Sequence, residues 1–153
     1  MDILIILSTF VGGVFLSAQA SMNGKLSPKA GSLETALINF IIGGLFLAII
    51  ILFFGKGDVL ALLDAPKWQL TGVFLGVSYL LLTILAVPKI GVTATSITAI
   101  FGQIAAGFVV DQFGWFGVDV IHFGPKRLIG LLLMSIALVF IFQDGKRKVT
   151  NVQ

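Results

Sequence analysis

Residues 90–117 read IGVTATSITAIFGQIAAGFVVDQFGWFG, and this stretch decides the fold class of the chain. Residues 90–110 carry no charge and are long enough for a helix to cross a bilayer, which takes about 20 apolar residues. The segment then reaches a carboxylate, Asp111, and turns through a run of glycine and aromatic residues. A charge followed by interfacial aromatic residues is typical of a span that ends at headgroup level.

The composition of the whole chain agrees with a lipid environment. Of its 153 residues, 58% are apolar and 11% are charged, and the mean hydropathy is +1.09. A soluble domain carries about 25% charged residues, and one of this size could not bury so much apolar surface. Cysteine is absent, which excludes disulfides. The ten Lys and Arg residues are spread along the chain, so we expect no nucleic-acid partner.

Four further stretches are free of charge, at 3–24, 35–55, 68–88 and 128–143. The last is short, but it reaches spanning length if it starts near Phe123 and Lys126 and Arg127 extend to the interface. The sequence therefore predicts an all-α membrane protein with a single transmembrane domain over residues 1–153. The five predicted spans lie at about 3–24, 34–55, 67–88, 90–110 and 124–143.

The segments between the spans carry helix-end signals. Ser32 is a candidate N-cap for the second helix, with Glu34 in its first turn. Residues 58–65, DVLALLDA, predict a short helix in the interface, and Asp64 is a candidate cap for the third span. Pro88 is expected to end the third helix.

Loop charges bear on orientation in the membrane. The N-terminal side carries 4 Lys and Arg residues and the other side carries 6. This difference slightly favours a cytoplasmic C-terminus. It is also the balance expected of a chain that inserts in both orientations, and loop charge alone leaves both interpretations open.

Polar side chains inside the spans are costly and tend to face protein, water or substrate. Gln19 and Asn23 are four residues apart and share one face of the first helix, while Asn39 and Gln103 lie on the second and fourth. These amides either join helices or line a substrate site, and the sequence leaves both roles open. The predicted midplane substrate site consists of Gln19, Asn23, Asn39, Tyr79, Gln103, Phe10 and Phe101.

The fourth span also carries small residues at a spacing of mostly four. Such a stripe predicts close packing against another helix, either within one subunit or between subunits. Its members are Gly91, Thr95, Ala99, Gly102 and Ala106.

Enzymatic function is not expected. His122, the single histidine, has no partner at metal-ligand spacing, and we expect neither a metal nor another cofactor. The chain has no Walker-type phosphate loop, and no nucleophile–base set or pair of carboxylates stands within a plausible site.

Three elements resemble a known family. They are LSTFVGGVFLSAQASMNGKLS near the N-terminus, NFIIGG in the second span, and GQIAAGFVVDQFGWFG followed by FGPKRLIG. They look like the YdcZ-type family of the drug/metabolite transporter (DMT) superfamily, in the same order and over nearly the whole chain. The element GQIAAGFVVDQFGWFG, with its GQ pair, its aspartate and its two FG pairs, is more specific than the glycine-rich helices.

The resemblance implies a small five-span protein of the bacterial plasma (inner) membrane. It also implies small-molecule export by an inverted-repeat transporter of ten helices, made from two such units. Carried over by position, the residues that match the family are Gln19, Asn23, Asn39, Gln103, Asp111 and Gly114.

The small multidrug exporters are similar in size and in their glycine-rich helices. Those proteins centre on a glutamate in the first span, whereas residues 8–18 here read STFVGGVFLSA, without a carboxylate. Proton-coupled export of cations by that mechanism is therefore not expected.

The turn after the fourth span is interpreted as a structural hairpin. Asp111 can accept bonds from free amides of the turn, or pair with Lys126 or Arg127. Gly114 allows the turn, and Trp115 is placed at headgroup level. We favour this role over substrate contact.

Three assemblies remain open. Five spans supply one repeat, so a transporter needs a second one, either from an antiparallel copy of the chain or from a paralogue of opposite orientation. The third is a membrane scaffold that transports nothing. The expected partners are membrane lipid, the second subunit and a small neutral, aromatic or weakly cationic solute.

Overall fold

The computed structural model describes residues 3–121 and 124–150, without the side chains at positions 59, 62, 127, 142 and 144–150. Within these residues every regular element is a helix. Two short 3₁₀ helices occupy Val59–Leu63 and Trp115–Gly117. The α-helices are α1 (Ile3–Ala30), α2 (Ser32–Phe54), α3 (Lys67–Leu70), α4 (Gly72–Ile90), α5 (Val92–Phe113) and α6 (Pro125–Thr150).

Four helical segments are long and apolar enough to cross a membrane: α1, α2, α3 together with α4, and α5. Their surfaces are apolar and exposed; Phe10 on α1 is 70% exposed and Phe53 on α2 is 77% exposed. Surface of this kind is suited to lipid. The all-α fold class is thus confirmed. The apolar part of α6, Leu128–Ile141, is shorter, and its crossing stays a prediction.

Several helices continue beyond the predicted spans. Helix α1 passes residue 24 and ends at Ala30, and α5 passes Asp111 and ends at Phe113. The reason is physical: a charge marks where hydrocarbon ends, whereas backbone hydrogen bonding continues into the interface. Lys29 in the last turn of α1 also interacts favourably with the helix dipole. Pro88 lies inside α4, so the prediction that it ends the helix is wrong.

The predicted side-chain caps are also wrong. The N-cap of α2 is Gly31, with φ 97° and ψ 148° and no side-chain cap bond. A single residue joins α1 to α2, and so Ser32 already lies inside the helix. Asp64 ends the first 3₁₀ helix instead of capping α3, which is preceded by Pro66. The short helix predicted within 58–65 is present, and Asp58 caps it through a 2.8 Å bond from the Leu60 N–H.

The connection from α1 to α2 is repeated between α4 and α5. Residues 27–35 read SPKAGSLET and residues 87–95 read VPKIGVTAT, so Pro, Lys, Gly and Thr recur sixty positions later. In both copies one glycine at positive φ joins the two helices: Gly31 at 97° and Gly91 at 82°. In both, the threonine hydroxyl donates to the glycine carbonyl at 2.7 Å, from Thr35 and from Thr95.

The repeat extends to the contact between α1 and α4. A β-carbon added at Gly24 would collide with Val87, so glycine allows the two helices to approach closely here. In the sixty-residue repeat, Gly24 corresponds to Ile84 and Val87 corresponds to Ser27. Ser27 and Ile84 are both buried. Ser27 and Val87 thus stand at equivalent positions of the repeat and are both buried, whereas Gly24, the equivalent of the buried Ile84, is half-buried.

The chain forms two compact units, residues 1–89 and residues 90–153. In the first unit α1 packs against α2 as a hairpin. In the second, α5 packs against α6 and against the 3₁₀ helix Trp115–Gly117.

Candidate functional site

Three amide side chains of the first unit are joined by hydrogen bonds across the α1–α2 hairpin. Gln19 Nε2 donates to Asn39 Oδ1 at 3.3 Å. Asn39 Nδ2 donates to Asn23 Oδ1 at 2.9 Å and to the carbonyl oxygen of Thr35 at 2.8 Å. We call Gln19, Asn23 and Asn39 the amide cluster.

The one-residue turn sets the register that brings the amides together. Asn23 and Asn39 each lie eight residues from Gly31 (31 − 23 and 39 − 31), so the hairpin places them opposite one another. Gln19 lies one turn below Asn23 on the same face of α1. Thr35 is fully buried beside the turn, and its carbonyl oxygen is the backbone partner of Asn39.

The hydrogen bonds of the cluster run in one direction. The Thr35 carbonyl oxygen can only accept, so the nitrogen of Asn39 must face it and the Asn39 oxygen must face Gln19. Gln19 therefore donates through Nε2, and Asn23 accepts through Oδ1. A backbone group thereby fixes amide orientations that are ordinarily ambiguous.

The two ends of the cluster differ in chemistry and exposure. Asn23 is 5% exposed, and its Nδ2 is a buried donor without a hydrogen-bond partner among the described residues. Gln19 is exposed, and its bond to Asn39 uses one of its two Nε2 hydrogens, so the second N–H and the acceptor Oε1 remain. The cluster is therefore bonded internally but left open at both ends, which is unusual for buried polar groups.

The other predicted site residues lie on three helices. Phe10 lies on α1 and is 70% exposed, while Tyr79 lies on α4 and is 38% exposed. Phe101 and Gln103 lie on α5 in the second unit, where Phe101 is half-buried and Gln103 is exposed. The structure thus joins Gln19, Asn23 and Asn39 by hydrogen bonds, and the midplane substrate site as a whole stays a prediction.

The turn after α5 is compact and built on unusual backbone angles. Gly114 ends α5 in the left-handed conformation at φ 62°, and Phe116 is the one described non-glycine residue with a positive φ, at 64°. The Ile121 N–H donates to the Asp111 carbonyl oxygen at 2.9 Å and closes the loop. A β-carbon at Gly114 would lie 2.8 Å from Val120 Cγ2, so glycine is favoured there.

Aromatic side chains cover this turn. The rings of Phe113 and Trp115 stack with centroids 5.7 Å apart, and Trp115 is 52% exposed. This arrangement favours an interfacial position for the turn. Its structural role, including that of the Asp111 side chain, stays a prediction. His122 and the Arg127 side chain lie outside the described residues.

The sequence interpretation missed Gly31 and Thr35, which hold the cluster in register. The signal that could have found them is the repeated pattern of Pro, Lys, Gly and Thr at 28–35 and 88–95. A motif present twice in one chain, each time between two apolar helices, indicates a specific turn.

Together, the apolar exposed helices and the polar cluster within them define the class: a multi-pass helical membrane protein with hydrogen-bonding groups inside its spans. Residues 4–140 match the family model described as "Putative inner membrane exporter, YdcZ". The chain belongs to this family, and it is a multi-pass protein of the inner membrane. The description of the family names an exporter, and exporters are not a class of enzymes. No curated protein and no solved structure matches the chain.

Proposed function

We propose that the chain exports a small molecule and works as an antiparallel, dual-topology homodimer whose midplane substrate site includes the amide cluster. The observation that carries this proposal is the cluster itself, three bonded amides in charge-free stretches of two helices, with polar atoms left over at both ends. Polar groups in such segments are costly and mark substrate pathways by default. Gln103, Tyr79, Phe10 and Phe101 are proposed to complete the site.

Two observations support the antiparallel pair. The loop charges of 4 and 6 give little preference for one orientation. Transporters of this kind rock two repeats around a site between them, and five spans supply a single repeat. A second copy of opposite orientation is the simplest source of the other.

Flux measurements on the purified chain test export directly. Proteoliposomes that contain only this protein should concentrate or release a substrate found by a ligand-stabilisation screen. Asn39→Leu should abolish this flux, because it removes the amide group that connects Gln19 with Asn23. The matched control is Asn151→Leu, outside the spans, which should keep full flux.

Two results would count against the proposal. Flux that survives Asn39→Leu in folded protein would remove the amide cluster from the site. Flux that appears only after a paralogue is added would favour the heterodimer, which the charge difference of 2 (6 − 4) mildly supports. A protein that forms dimers and carries no solute under either condition would be a scaffold.

A further inference from the structure

We infer that the open space opposite Gln19, left by Gly43 on α2, receives the hydrogen-bonding group of the substrate, and that Gly43 limits the size of that group. The inference rests on the proposed function, since it takes the amide cluster as part of the substrate site. It goes further by locating where the substrate meets the cluster and by naming a class of solute. That class is an apolar body that carries a compact hydroxyl, amino, carbonyl or amide group.

The register of the hairpin places Gly43 opposite Gln19. Each lies twelve residues from Gly31 (31 − 19 and 43 − 31), just as Asn23 and Asn39 each lie eight residues away. Gly43 also follows Asn39 by four residues, so the two share one face of α2. Asn39 bonds to both amides of α1, so this is the face that α2 presents to α1.

The position opposite Gln19 is empty. A β-carbon added at Gly43 would meet nothing within 4 Å. The Gln19 side chain bonds instead to Asn39, which lies one turn nearer to the loop that joins the helices. Gly43 therefore does not serve close helix packing, in contrast to Gly24, where a β-carbon would collide with Val87.

The chemistry beside this space is polar. Gln19 is exposed, and beyond its bond to Asn39 it keeps one N–H and the acceptor Oε1. A compact group that donates, accepts or does both can therefore bond to Gln19. At the other end of the cluster, the buried Asn23 Nδ2 has no partner among the described residues. A network with unused bonding capacity at both ends calls for an explanation, and a ligand supplies one.

The surroundings of the space are apolar on the side away from the turn. There, residues 44–54 of α2 are all exposed, and they include Phe46 at 62% and Leu47 at 58%. The buried residues of the hairpin all lie on the turn side, and they are Ala20, Asn23, Ser27, Thr35 and Ala36. An apolar body can thus lie along the exposed part of α2 while its polar group reaches Gln19.

The sixty-residue repeat shows that the helix itself does not require glycine at position 43. The equivalent residue is Gln103, which also lies twelve residues after a turn glycine, Gly91. It stands inside α5, which continues to Phe113. A helix that follows this type of turn therefore accepts a long side chain at this position. Since glycine is less favourable than alanine inside a helix, Gly43 is explained better by the space that it leaves.

A single cysteine in the space tests whether water and solutes reach it. The chain has no cysteine of its own, so Gly43→Cys and Gly44→Cys each carry one thiol. Gly44 is the matched control, since a β-carbon there also meets nothing within 4 Å. It is exposed, however, and it lies about 100° further round the helix than the half-buried Gly43.

The probe is 2-(trimethylammonium)ethyl methanethiosulfonate, applied to both sides of proteoliposomes. It reacts with the thiolate, which requires water, and forms a mixed disulfide with release of methanesulfinate. We expect it to modify Gly43→Cys about ten-fold faster than Gly44→Cys, because lipid around the control keeps its thiol neutral. Equal rates would overturn the inference. Two slow reactions would mean that lipid or protein fills the space, and two fast ones that the whole surface is wet.

Larger side chains at the same two positions test the limit on size. Gly43→Leu should abolish flux of the substrate that the ligand-stabilisation screen identifies, whereas Gly44→Leu should keep it. Circular dichroism and size-exclusion chromatography establish that both variants fold. If Gly43→Leu does not fold, the smaller Gly43→Ala takes its place, and we expect it to lower flux several-fold.

The inference and the proposed function can fail separately. Flux that survives Gly43→Leu in folded protein would refute the inference and keep the exporter. Loss of ligand stabilisation in Gly43→Leu, in a protein that shows no flux in any form, would keep the binding space and refute export.

Discussion

Asn39 uses its whole side chain in the amide cluster. Both of its N–H groups donate, to Asn23 and to the Thr35 carbonyl, and its oxygen accepts from Gln19. Asn23 uses only its oxygen. Asn39 therefore needs both its amide nitrogen and its oxygen for the cluster, whereas Asn23 needs only its oxygen.

Asn39→Asp should destabilise the protein more than Asn23→Asp. The change at position 39 replaces a nitrogen that makes two bonds with an oxygen that faces two acceptors. The change at position 23 keeps the accepting oxygen and replaces a nitrogen that has no partner among the described residues. We expect a difference of about 1–3 kcal/mol in the free energy of unfolding, the cost of unmade buried bonds.

Chemical denaturation in detergent, followed by circular dichroism, measures this difference. Both variants carry the same new carboxyl group, so each is the control for the other. Equal losses of stability would contradict the assigned direction of the hydrogen bonds.

Much of the cluster could be predicted at this scale, and one part could not. The spacing of Gln19 and Asn23 places them on one face because an α-helix repeats every 3.6 residues. Their contact with Asn39 depends on the register between two helices. That register depends on a single glycine, and a cap rule that favours Ser32 places the turn one residue too late.

Among the elements, the two one-residue turns have the strictest backbone requirement. Gly31 and Gly91 have φ 97°, ψ 148° and φ 82°, ψ 164°. Only glycine occupies this region without strain, and another residue there costs about 1–3 kcal/mol. The turn at Gly31 therefore sets the register of α1 against α2.

Gly31→Ala and Gly91→Ala should each lower the free energy of unfolding by about 1–3 kcal/mol. Gly43→Ala in α2 is the matched control, since a β-carbon there meets nothing within 4 Å and alanine favours a helix. Thermal unfolding of the three variants in one detergent compares them. A control as unstable as the turn variants would show that the turns are not special.

The helices themselves were the most predictable elements. The charge-free stretches gave four segments that the structure shows as long apolar helices. Their ends were less predictable, because charge locates the edge of the hydrocarbon and says little about the end of hydrogen bonding. Helix α6 shows this most clearly, since it continues through the charged segment to Thr150.

For the whole molecule, orientation in the membrane is the open property with the largest consequence for function. In a dual-topology chain each loop is found on both sides. Cysteines introduced one at a time at Lys25 and at Lys56 should each be only partly labelled by an impermeant reagent added outside.

Two added lysines in the loop that holds Lys56 and Lys67 should shift both labelling fractions, in opposite directions, because orientation responds to loop charge. Two lysines added after residue 150, on the opposite predicted side, are the control and should shift them the other way. Complete labelling at one position and none at the other would show a fixed orientation and support a paralogue as partner.

The sixty-residue repeat has a consequence for how such a chain could be lengthened by gene duplication. A helical hairpin crosses the membrane twice, so duplicating it leaves the orientation of all later spans unchanged. The first four spans could therefore arise from one ancestral pair. A fifth crossing makes the number of spans odd, so the chain ends on the side of the membrane opposite to its start. With α6 as that crossing, a head-to-tail fusion of two genes would yield one polypeptide whose halves face opposite ways, with no change to any loop charge.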